Sequence, residues 1–168
     1  DVIVSAGHLG DRFVDHFRDW RPRAGLACSV RVRVEPEPLG TAGALVHSAA
    51  ELDDAFLLLN GDSWFDLDWL DFLNRSRQHD YWVSIALREI DDTSRYGSVE
   101  LSGDRLVSFR EKGRSGPGLI SGGVYHLRRR VLNGIGTGFC SLEKDVLPSL
   151  VGDRAVGGWA YDGFFLDI

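Results

Sequence analysis

The stretch FLLLNGD, residues 56–62, is the feature that most restricts how this chain can fold. Phe56 to Leu59 is wholly apolar, which is typical of a strand buried on both faces of a parallel sheet. The run ends in Asn60, Gly61 and Asp62, and ligands of open α/β sheets bind beyond the carboxyl ends of the strands. A carboxylate there suits a divalent metal that carries phosphates, with Gly61 admitting a ligand close to the backbone. The alternative for Asp62 is a cap of the following turn or helix.

Hydrophobic spacing predicts that helices and strands alternate in the first half of the chain and that the second half is rich in strands. The predicted strands are Val2–Ser5, Ser29–Glu35, Phe56–Asn60, Tyr81–Ile90, Gly97–Leu101, Leu106–Glu111, Leu119–Leu127, Val156–Tyr161 and Phe164–Ile168. Helices are predicted near Asp11–Trp20, after the EPEPLG loop, at Trp69–Gln78 and from about Ser141. This order indicates one α/β domain over residues 1–168, in which a nucleotide-binding half precedes a mixed-sheet half that shapes a second substrate pocket.

Two segments near the start of the chain are expected to be buried. The run DVIVSA has the pattern of a buried strand. Phe13, Phe17 and Trp20 recur at helical spacing, which indicates a helix face in the core.

Composition and charge exclude several classes of protein. With 43% hydrophobic and 26% charged residues, the chain is typical of a globular domain. The net charge of -6 argues against a nucleic-acid partner, which normally needs a basic face. No apolar run reaches membrane-spanning length and no secretory signal is visible, so no membrane partner is expected. Cys28 and Cys140 form no CxxC pair, and a reduced, cytoplasmic setting is the default.

The sequence at both ends of the chain indicates truncation. No methionine occurs anywhere, DVIVSA begins directly as a strand, and GFFLDI stops inside a strand-like run. We therefore expect this chain to be a fragment or partial form of a longer protein.

The motif LGTAGAL, residues 39–45, places small residues at the entry to a helix. Thr41 is positioned to cap that helix. Gly40, Ala42 and Gly43 are expected to leave backbone N–H groups open to a base or a phosphate. The alternative is an ordinary loop after two prolines.

Two motifs in the strand-rich half could contact a substrate. FREKG ends a strand with Glu111 and Lys112, where Lys112 could hold a phosphate and Glu111 could accept protons from sugar hydroxyls. A solvent-exposed acid–base pair is the alternative. LISGGVYHL carries Gly122 and Gly123 inside a strand, which marks either close approach by a ligand or another backbone, or a bulge.

The run DGFFLDI, residues 162–168, offers a second carboxylate. Asp167 follows an apolar run, as Asp62 does. Mg²⁺ is commonly bound through one or two carboxylates together with substrate phosphates. If the two strands are neighbours, Asp62 and Asp167 form one magnesium site.

Taken in order, PLGTAGAL, LLLNGD, RYGSVEL, FREKG, SGGVYHL, SLEKDVLPSL and DGFFLDI resemble the sugar-1-phosphate nucleotidylyltransferases. The order and spacing are more specific than any single motif and span nearly the whole chain. Within that family the chain looks most like the guanylyltransferases acting on D-glycero-D-manno-heptose 1-phosphate or mannose 1-phosphate. EPLGTAGAL, RYGSVE, SLEKD and DGFFLDI favour the heptose branch. The resemblance implies a Rossmann-like, three-layer nucleotide-diphospho-sugar transferase fold with a mixed central sheet.

The resemblance also implies a mechanism and a set of residue roles. An oxygen of the sugar 1-phosphate attacks the α-phosphorus of a nucleoside triphosphate in line, which releases pyrophosphate and forms an NDP-sugar. Positioning and charge neutralisation supply most of the rate. The implied partners are therefore a nucleoside triphosphate and a sugar 1-phosphate, and a homo-oligomer is left open. The implied roles are catalysis for Asp62, Lys112 and Asp167, with Mg²⁺ on the two aspartates and the sugar phosphate on the lysine; nucleotide contact for Leu39, Gly40, Thr41, Asn60 and Gly61; and sugar contact for Gly97, Glu111, Gly122 and Gly123.

The chain departs from the family pattern in several places. The family opens with a strand and a G-G-x-G-T-R-type loop followed by a Pro-Lys-Pro segment, which bind the triphosphate, and these are not in this sequence. Position 121 is Ser where the family usually has Asn, and the segment after the final Asp is cut. We therefore expect the 168-residue chain by itself to be inactive and to expose apolar strand edges beside Val2–Ser5 and Phe56–Asn60.

Two alternatives stay open. A catalytically silent binding or regulatory subunit would keep the sugar pocket without the triphosphate loop. A thymidylyl- or uridylyltransferase would differ only in the base pocket, which the LGTAG loop does not decide.

Overall fold

A computed structural model describes residues 1–20, 27–110 and 115–168, which form an α/β fold. The strands are β1 (Val2–Ala6), β2 (Val30–Val34), β3 (Ala55–Leu59), β4 (Ser63–Phe65), β5 (Val83–Ile90), β6 (Ser98–Ser102), β7 (Arg105–Arg110), β8 (Gly118–Arg128), β9 (Val156–Tyr161) and β10 (Phe165–Asp167). The α-helices are α1 (Gly10–Arg18), α2 (Gly40–His47), α3 (Trp69–Gln78) and α4 (Leu147–Gly152). Short 3₁₀ turns lie at Ala49–Glu51 and Arg129–Leu132, and a π-helical turn at Leu142–Val146 leads into α4.

The centre of the fold is a six-stranded mixed sheet in the order β3-β8-β5-β9-β7-β6. Strand β5 pairs in parallel with β9 and antiparallel with β8. The α2 helix, the π turn and α4 pack on one face around Tyr125 and Leu142. On the other face, Phe72 of α3 packs against Trp159 of β9. Helices on both faces of a mixed sheet confirm the expected three-layer α/β architecture. None of the helices in the described ranges is long and apolar enough to cross a membrane.

Two small sheets flank the main one. Strands β1 and β2 pair in parallel, and α1 packs on β2. Strands β4 and β10 pair antiparallel, and β4 lies against β8 of the main sheet. The sequence did not predict β4, because three residues are too few to show a period of two.

The expectation that Phe56 to Leu59 is buried on both faces of a parallel sheet is wrong. Strand β3 pairs antiparallel with β8 and lies at the edge of the six-stranded sheet. Leu57 is exposed, and 52% of Leu59 is exposed. An apolar run indicates burial, but it does not show how many neighbours cover the strand.

The burial expected near the start of the chain is also partly wrong. Val2 of β1 is exposed, and Phe13 of α1 is 43% exposed, while Phe17 and Trp20 are half-buried. Among the described strands, β1 pairs only with β2, so one edge of β1 and one edge of β3 carry unpaired backbone and exposed apolar side chains, as expected.

His126 is a histidine buried within the main sheet. It lies on β8 opposite Ser84 of β5, and only 7% of it is exposed. Burial lowers the pKa of its imidazole below the usual value of 6.5, and the positive charges of Arg128 and Arg77 add to this effect. The folded protein therefore favours the neutral form.

His126→Gln should flatten the pH dependence of stability below neutrality. The unfolded chain binds the proton of His126 more tightly than the folded protein does. The contribution of neutral His126 is therefore complete above about pH 6.5 and is lost as the pH falls below that value. Denaturant unfolding between about pH 7.5 and 5.5 should show a smaller loss of unfolding free energy in the variant than in the wild type. Parallel curves would contradict this role.

Candidate active site

The two predicted metal-binding carboxylates meet at one serine hydroxyl. The register of β4 and β10 places Ser63 opposite Asp167. Ser63 Oγ lies 2.8 Å from a carboxylate oxygen of Asp167 and 3.3 Å from one of Asp62. The N–H of Ile168 donates to the carbonyl of Asp62 at 3.1 Å, which holds the loop after β3 against the end of β10. The structure thus brings together two carboxylates from distant parts of the sequence. Ser63 itself was missed by the sequence reasoning.

The carboxylate pair fits Mg²⁺ in the manner of a site that shares the ion with substrate phosphates. Mg²⁺ prefers oxygen ligands, keeps several waters, and is usually held by one or two carboxylates plus phosphate oxygens. Asp62 is exposed and Asp167 is half-buried, and the space beside Gly61 is open. Within the described ranges, no group of three or more His, Cys, Asp or Glu side chains forms a closed metal cage. Binding of Mg²⁺ stays a prediction.

The LGTAGAL segment is held by the backbone of Cys140. The N–H of Cys140 donates to the carbonyl of Leu39 at 2.8 Å. The carbonyl of Cys140 accepts from the N–H groups of Ala42 and Gly43 at 2.9 and 3.2 Å. Gly40 begins α2 with a φ of 67°, and a Cβ there would lie 2.7 Å from the Cys140 carbonyl oxygen. The small residues of this motif therefore permit close contact between two backbone segments.

Two expected details of this motif are wrong. Thr41 does not cap α2, because the cap position is Leu39 and no side chain bonds there. The N–H groups of Ala42 and Gly43 are not open to a ligand, since Cys140 accepts from both. Among the described residues, the N–H groups of Gly40 and Thr41 donate to no backbone carbonyl outside α2. Both lie in the first turn of α2, where N–H groups have no partner within the helix. Base contact by Leu39, Gly40 and Thr41 stays a prediction.

Glu35 fixes the approach to α2, a role that the sequence reasoning missed. One of its carboxylate oxygens accepts from Ser5 Oγ at 2.9 Å, and the other accepts from the N–H of Leu39 at 3.1 Å. Glu35 therefore ties the region of β1 to the start of the LGTAGAL segment. The only signal in the sequence is an acidic residue that precedes a Pro-rich approach to a helix.

The double glycine of β8 lies beside the carboxylates. The β5–β8 ladder shifts register at this point, so Gly122 and Gly123 form a bulge. A Cβ on Gly122 would fall 2.2 Å from the Phe65 ring, and one on Gly123 would lie 3.2 Å from both Asn60 and Ser63. Gly123 has a φ of 74°, and its carbonyl accepts from the N–H of Asn60 at 2.8 Å. The bulge and the close approach of other chain segments are both confirmed, and contact of Gly122 or Gly123 with sugar stays a prediction.

The remaining predicted sugar-side residues belong to the neighbouring strands. A Cβ on Gly97 would lie 3.1 Å from the carbonyl oxygen of Arg110. The next residue, Ser98, pairs with Arg110 of β7 and also with β8. Gly97 and the end of β7 therefore lie side by side. Glu111 and Lys112 fall outside the described residues, so their roles stay predictions.

A cavity of about 780 Å³ lies elsewhere, between α3, the β6–β7 turn and β9. It is lined in part by Trp159 and contains none of the predicted site residues. Its polar side chains contact each other, Arg75 with Asp71 at 2.8 Å and His79 with Asp104 at 3.1 Å. We therefore place the candidate active site at the carboxylate pair and not in this cavity.

Comparisons with known proteins show the family to which the chain belongs. The Nucleotidyl transferase family model matches residues 2–146. The chain is 27% identical over 169 residues to D-glycero-alpha-D-manno-heptose 1-phosphate guanylyltransferase of Campylobacter jejuni subsp. jejuni serotype O:2, covering 100% of this chain and 73% of that protein. It is 27% identical over 175 residues to probable mannose-1-phosphate guanylyltransferase 1 of Oryza sativa subsp. japonica, covering 100% of this chain and 48% of that protein.

Solved structures show the same relationship. HddC from Yersinia pseudotuberculosis superimposes with a TM-score of 0.83 and 29% identity, covering 99% of this chain and 72% of that chain. HddC complexed with GMP-PN gives a TM-score of 0.80 and 28% identity, covering 98% of this chain and 71% of that chain. Because the family model covers most of the chain, the chain belongs to the nucleotidyl transferase family. Its relatives are nucleotidyltransferase enzymes, and the chain is of the same enzyme class. This confirms the resemblance found in the sequence.

Gly43→Ala should loosen the LGTAGAL segment from its support. A Cβ at this position would lie 2.3 Å from the carbonyl oxygen of Gly138, so the backbone must move and the bonds to Cys140 must weaken. We expect a loss of about 1–3 kcal/mol in unfolding free energy, measured by denaturant titration. Gly136→Ala is the matched control, because nothing lies within 4 Å of the added Cβ. Equal stability of the two variants would contradict the packing role.

Proposed function

We propose that the chain is the nucleotidyl-transferring part of a sugar-1-phosphate guanylyltransferase. The reaction joins GTP to a manno-configured sugar 1-phosphate, either D-glycero-D-manno-heptose 1-phosphate or mannose 1-phosphate, and releases pyrophosphate. The observation that carries the proposal is the meeting of Asp62 and Asp167 at Ser63. The guanine nucleotide is supported by the HddC complex with GMP-PN, and the sugar by the relatives named above.

The described residues supply binding and orientation. The attacking phosphate oxygen is already ionised at neutral pH, so the reaction needs no general base. Asp62 and Asp167 would hold Mg²⁺, which when bound neutralises charge on the phosphates. The N–H groups of Gly40 and Thr41, which have no backbone partner among the described residues, would donate to the base. The rate then depends on holding the attacking oxygen and the α-phosphorus in line.

The proposed enzyme works in the cytoplasm. Both cysteines are free thiols, which suits the reducing cytoplasm. The net charge of -6 supports an enzyme of small phosphorylated substrates without a nucleic-acid partner.

Asp167→Asn should weaken metal binding and turnover together in the intact natural protein. The amide removes the negative charge that attracts the ion, so turnover should fall by about two orders of magnitude or more. Mn²⁺ titration followed by electron paramagnetic resonance gives the metal affinity independently of activity. Asp162→Asn is the control, since Asp162 is an exposed carboxylate before β10 outside the pair. Unchanged Mn²⁺ affinity in Asp167→Asn would contradict the metal site.

The function is tested by measuring pyrophosphate release from the intact natural protein with four triphosphates, GTP, ATP, UTP and dTTP. Each is paired with mannose 1-phosphate, D-glycero-D-manno-heptose 1-phosphate and glucose 1-phosphate. The proposal expects the highest kcat/KM with GTP and a manno-configured sugar. A preference for dTTP or UTP with glucose 1-phosphate would favour the thymidylyl- or uridylyltransferase alternative. Ligand binding without pyrophosphate release would favour the silent subunit.

A further inference from the structure

Ser63 and Asp167 form the kind of cross-strand pair in which side chains come closest. The N–H of Ile168 donates to the carbonyl of Asp62 at 3.1 Å, so these two residues form a hydrogen-bonded pair of the antiparallel ladder. The next pair along both strands, Ser63 with Asp167, is therefore a non-hydrogen-bonded pair, whose side chains lie close together on one face. The backbone register by itself thus brings the Ser63 hydroxyl to the Asp167 carboxylate.

The single proton of the Ser63 hydroxyl belongs to the bond with Asp167. A serine hydroxyl carries one proton, and an ionised carboxylate can only accept. Ser63 Oγ lies 2.8 Å from Oδ1 of Asp167 and 3.3 Å from Oδ1 of Asp62, and only the shorter distance is usual for an O–H···O bond. The two oxygens of Asp167 are therefore unequal. Oδ1 accepts from Ser63, whereas Oδ2 has no hydrogen-bond partner among the described residues.

The glycine bulge of β8 holds Ser63 in this position. A Cβ on Gly123 would lie 3.2 Å from both Cβ and Oγ of Ser63, so the serine packs directly against the β8 backbone. Ser63 and Asp167 are half-buried, whereas Asp62 is exposed. The hydroxyl is thus fixed beside Asp167, and the oxygens of Asp62 stay open to solvent.

An unequal carboxylate discriminates between divalent ions. Mg²⁺ is small, prefers octahedral geometry, and takes oxygens from one or two carboxylates while it keeps several waters. Ca²⁺ is larger, takes more oxygens, and also uses both oxygens of one carboxylate. The hydrogen bond from Ser63 draws electron density from Oδ1 of Asp167, so chelation through both oxygens becomes less favourable. Oδ2 is then the better single ligand.

We propose that Ser63 biases the carboxylate pair towards Mg²⁺ and against Ca²⁺. Ser63 is a positioning residue, because it acts through Asp167 and needs no contact with the ion. The proposal deepens the proposed function and rests on it for the metal site, since the ion concerned is the one that Asp62 and Asp167 would hold. Without the hydroxyl, both oxygens of Asp167 become equivalent, and chelation of the larger ion is favoured.

The test measures the affinities of Mg²⁺ and Ca²⁺ for the intact natural protein without substrates, by displacement of Mn²⁺ followed by electron paramagnetic resonance. Ser63→Ala should raise the affinity for Ca²⁺ relative to that for Mg²⁺ by about fivefold, which corresponds to the loss of one hydrogen bond. Ser63→Thr keeps the hydroxyl and should keep the wild-type ratio of the two affinities. A merely structural role would weaken the binding of both ions together and leave the ratio unchanged.

Ser94→Ala is the matched control, because it removes another serine hydroxyl that donates to a carboxylate, that of Asp92 at 2.8 Å, outside the carboxylate pair. It should keep the wild-type ratio of the two affinities. If Ser63→Ala fails to fold by circular dichroism, Ser63→Cys decides, since a thiol is a weak donor and should change the ratio in the same direction.

Three results would overturn the inference: an affinity ratio unchanged in Ser63→Ala, a Ser63→Thr variant that behaves as Ser63→Ala does, or a wild-type protein that binds no Mn²⁺. Failure of the proposed function is distinguishable from these results. Lack of turnover with every sugar 1-phosphate, together with an affinity ratio that depends on Ser63, would overturn the proposed function and support the inference.

Discussion

The contact between Phe65 and the glycine bulge of β8 is the constraint on which the candidate active site depends. A side chain at Gly122 would meet the Phe65 ring at 2.2 Å, so the small β4–β10 sheet can lie against the main sheet only because position 122 is a glycine. Phe65 also packs edge-on against Phe165 with 5.6 Å between ring centroids, which joins the two strands of the small sheet. The register fixed in this way puts Ser63 opposite Asp167. The position of the carboxylates relative to β8 is therefore decided by packing and not by the carboxylates themselves.

A second support comes from the segment that ends in the π-helical turn. Cys140 holds the LGTAGAL segment through three backbone hydrogen bonds, and three residues later Glu143 accepts from Tyr125. The turn between them is stabilised by Ser141, whose N–H donates to Asp145 at 2.7 Å and whose Oγ accepts from the N–H of Lys144 at 3.3 Å. One short segment thus holds the proposed nucleotide side and is also tied to β8, the strand that carries Gly122 and Gly123. Movement of this segment would shift the LGTAGAL segment and its contact with β8 together. This coupling is a physical reason for a π turn at this place, since π turns are frequent at functional sites.

The sequence predicted most elements because their patterns are local. The alternating VRVRV run gave β2, and the apolar run before Asp62 gave β3. What failed depended on neighbours that a pattern does not contain. The apolar pattern of β3 could not show that one face lacks a covering layer, and small residues around Thr41 could not show that Cys140 would take the amides. The prediction that Asp62 pairs with Asp167 came from the family resemblance and from the position of each residue at the end of an apolar run. The bridging hydroxyl of Ser63 had no signal, because its role arises only from the register of β4 with β10.

The candidate site has different electrostatic requirements at its two ends. At the phosphate end the described side chains are carboxylates, and a triphosphate is itself an anion, so direct contact is repulsive. Binding there becomes favourable when a cation stands between the two sets of oxygens. At the other end the proposed sugar ring is neutral, so hydrogen bonds alone can hold its hydroxyls and no counter-ion is needed. The proposed substrates carry their charge at the phosphates and their donors on the sugar ring, which matches this division within one site.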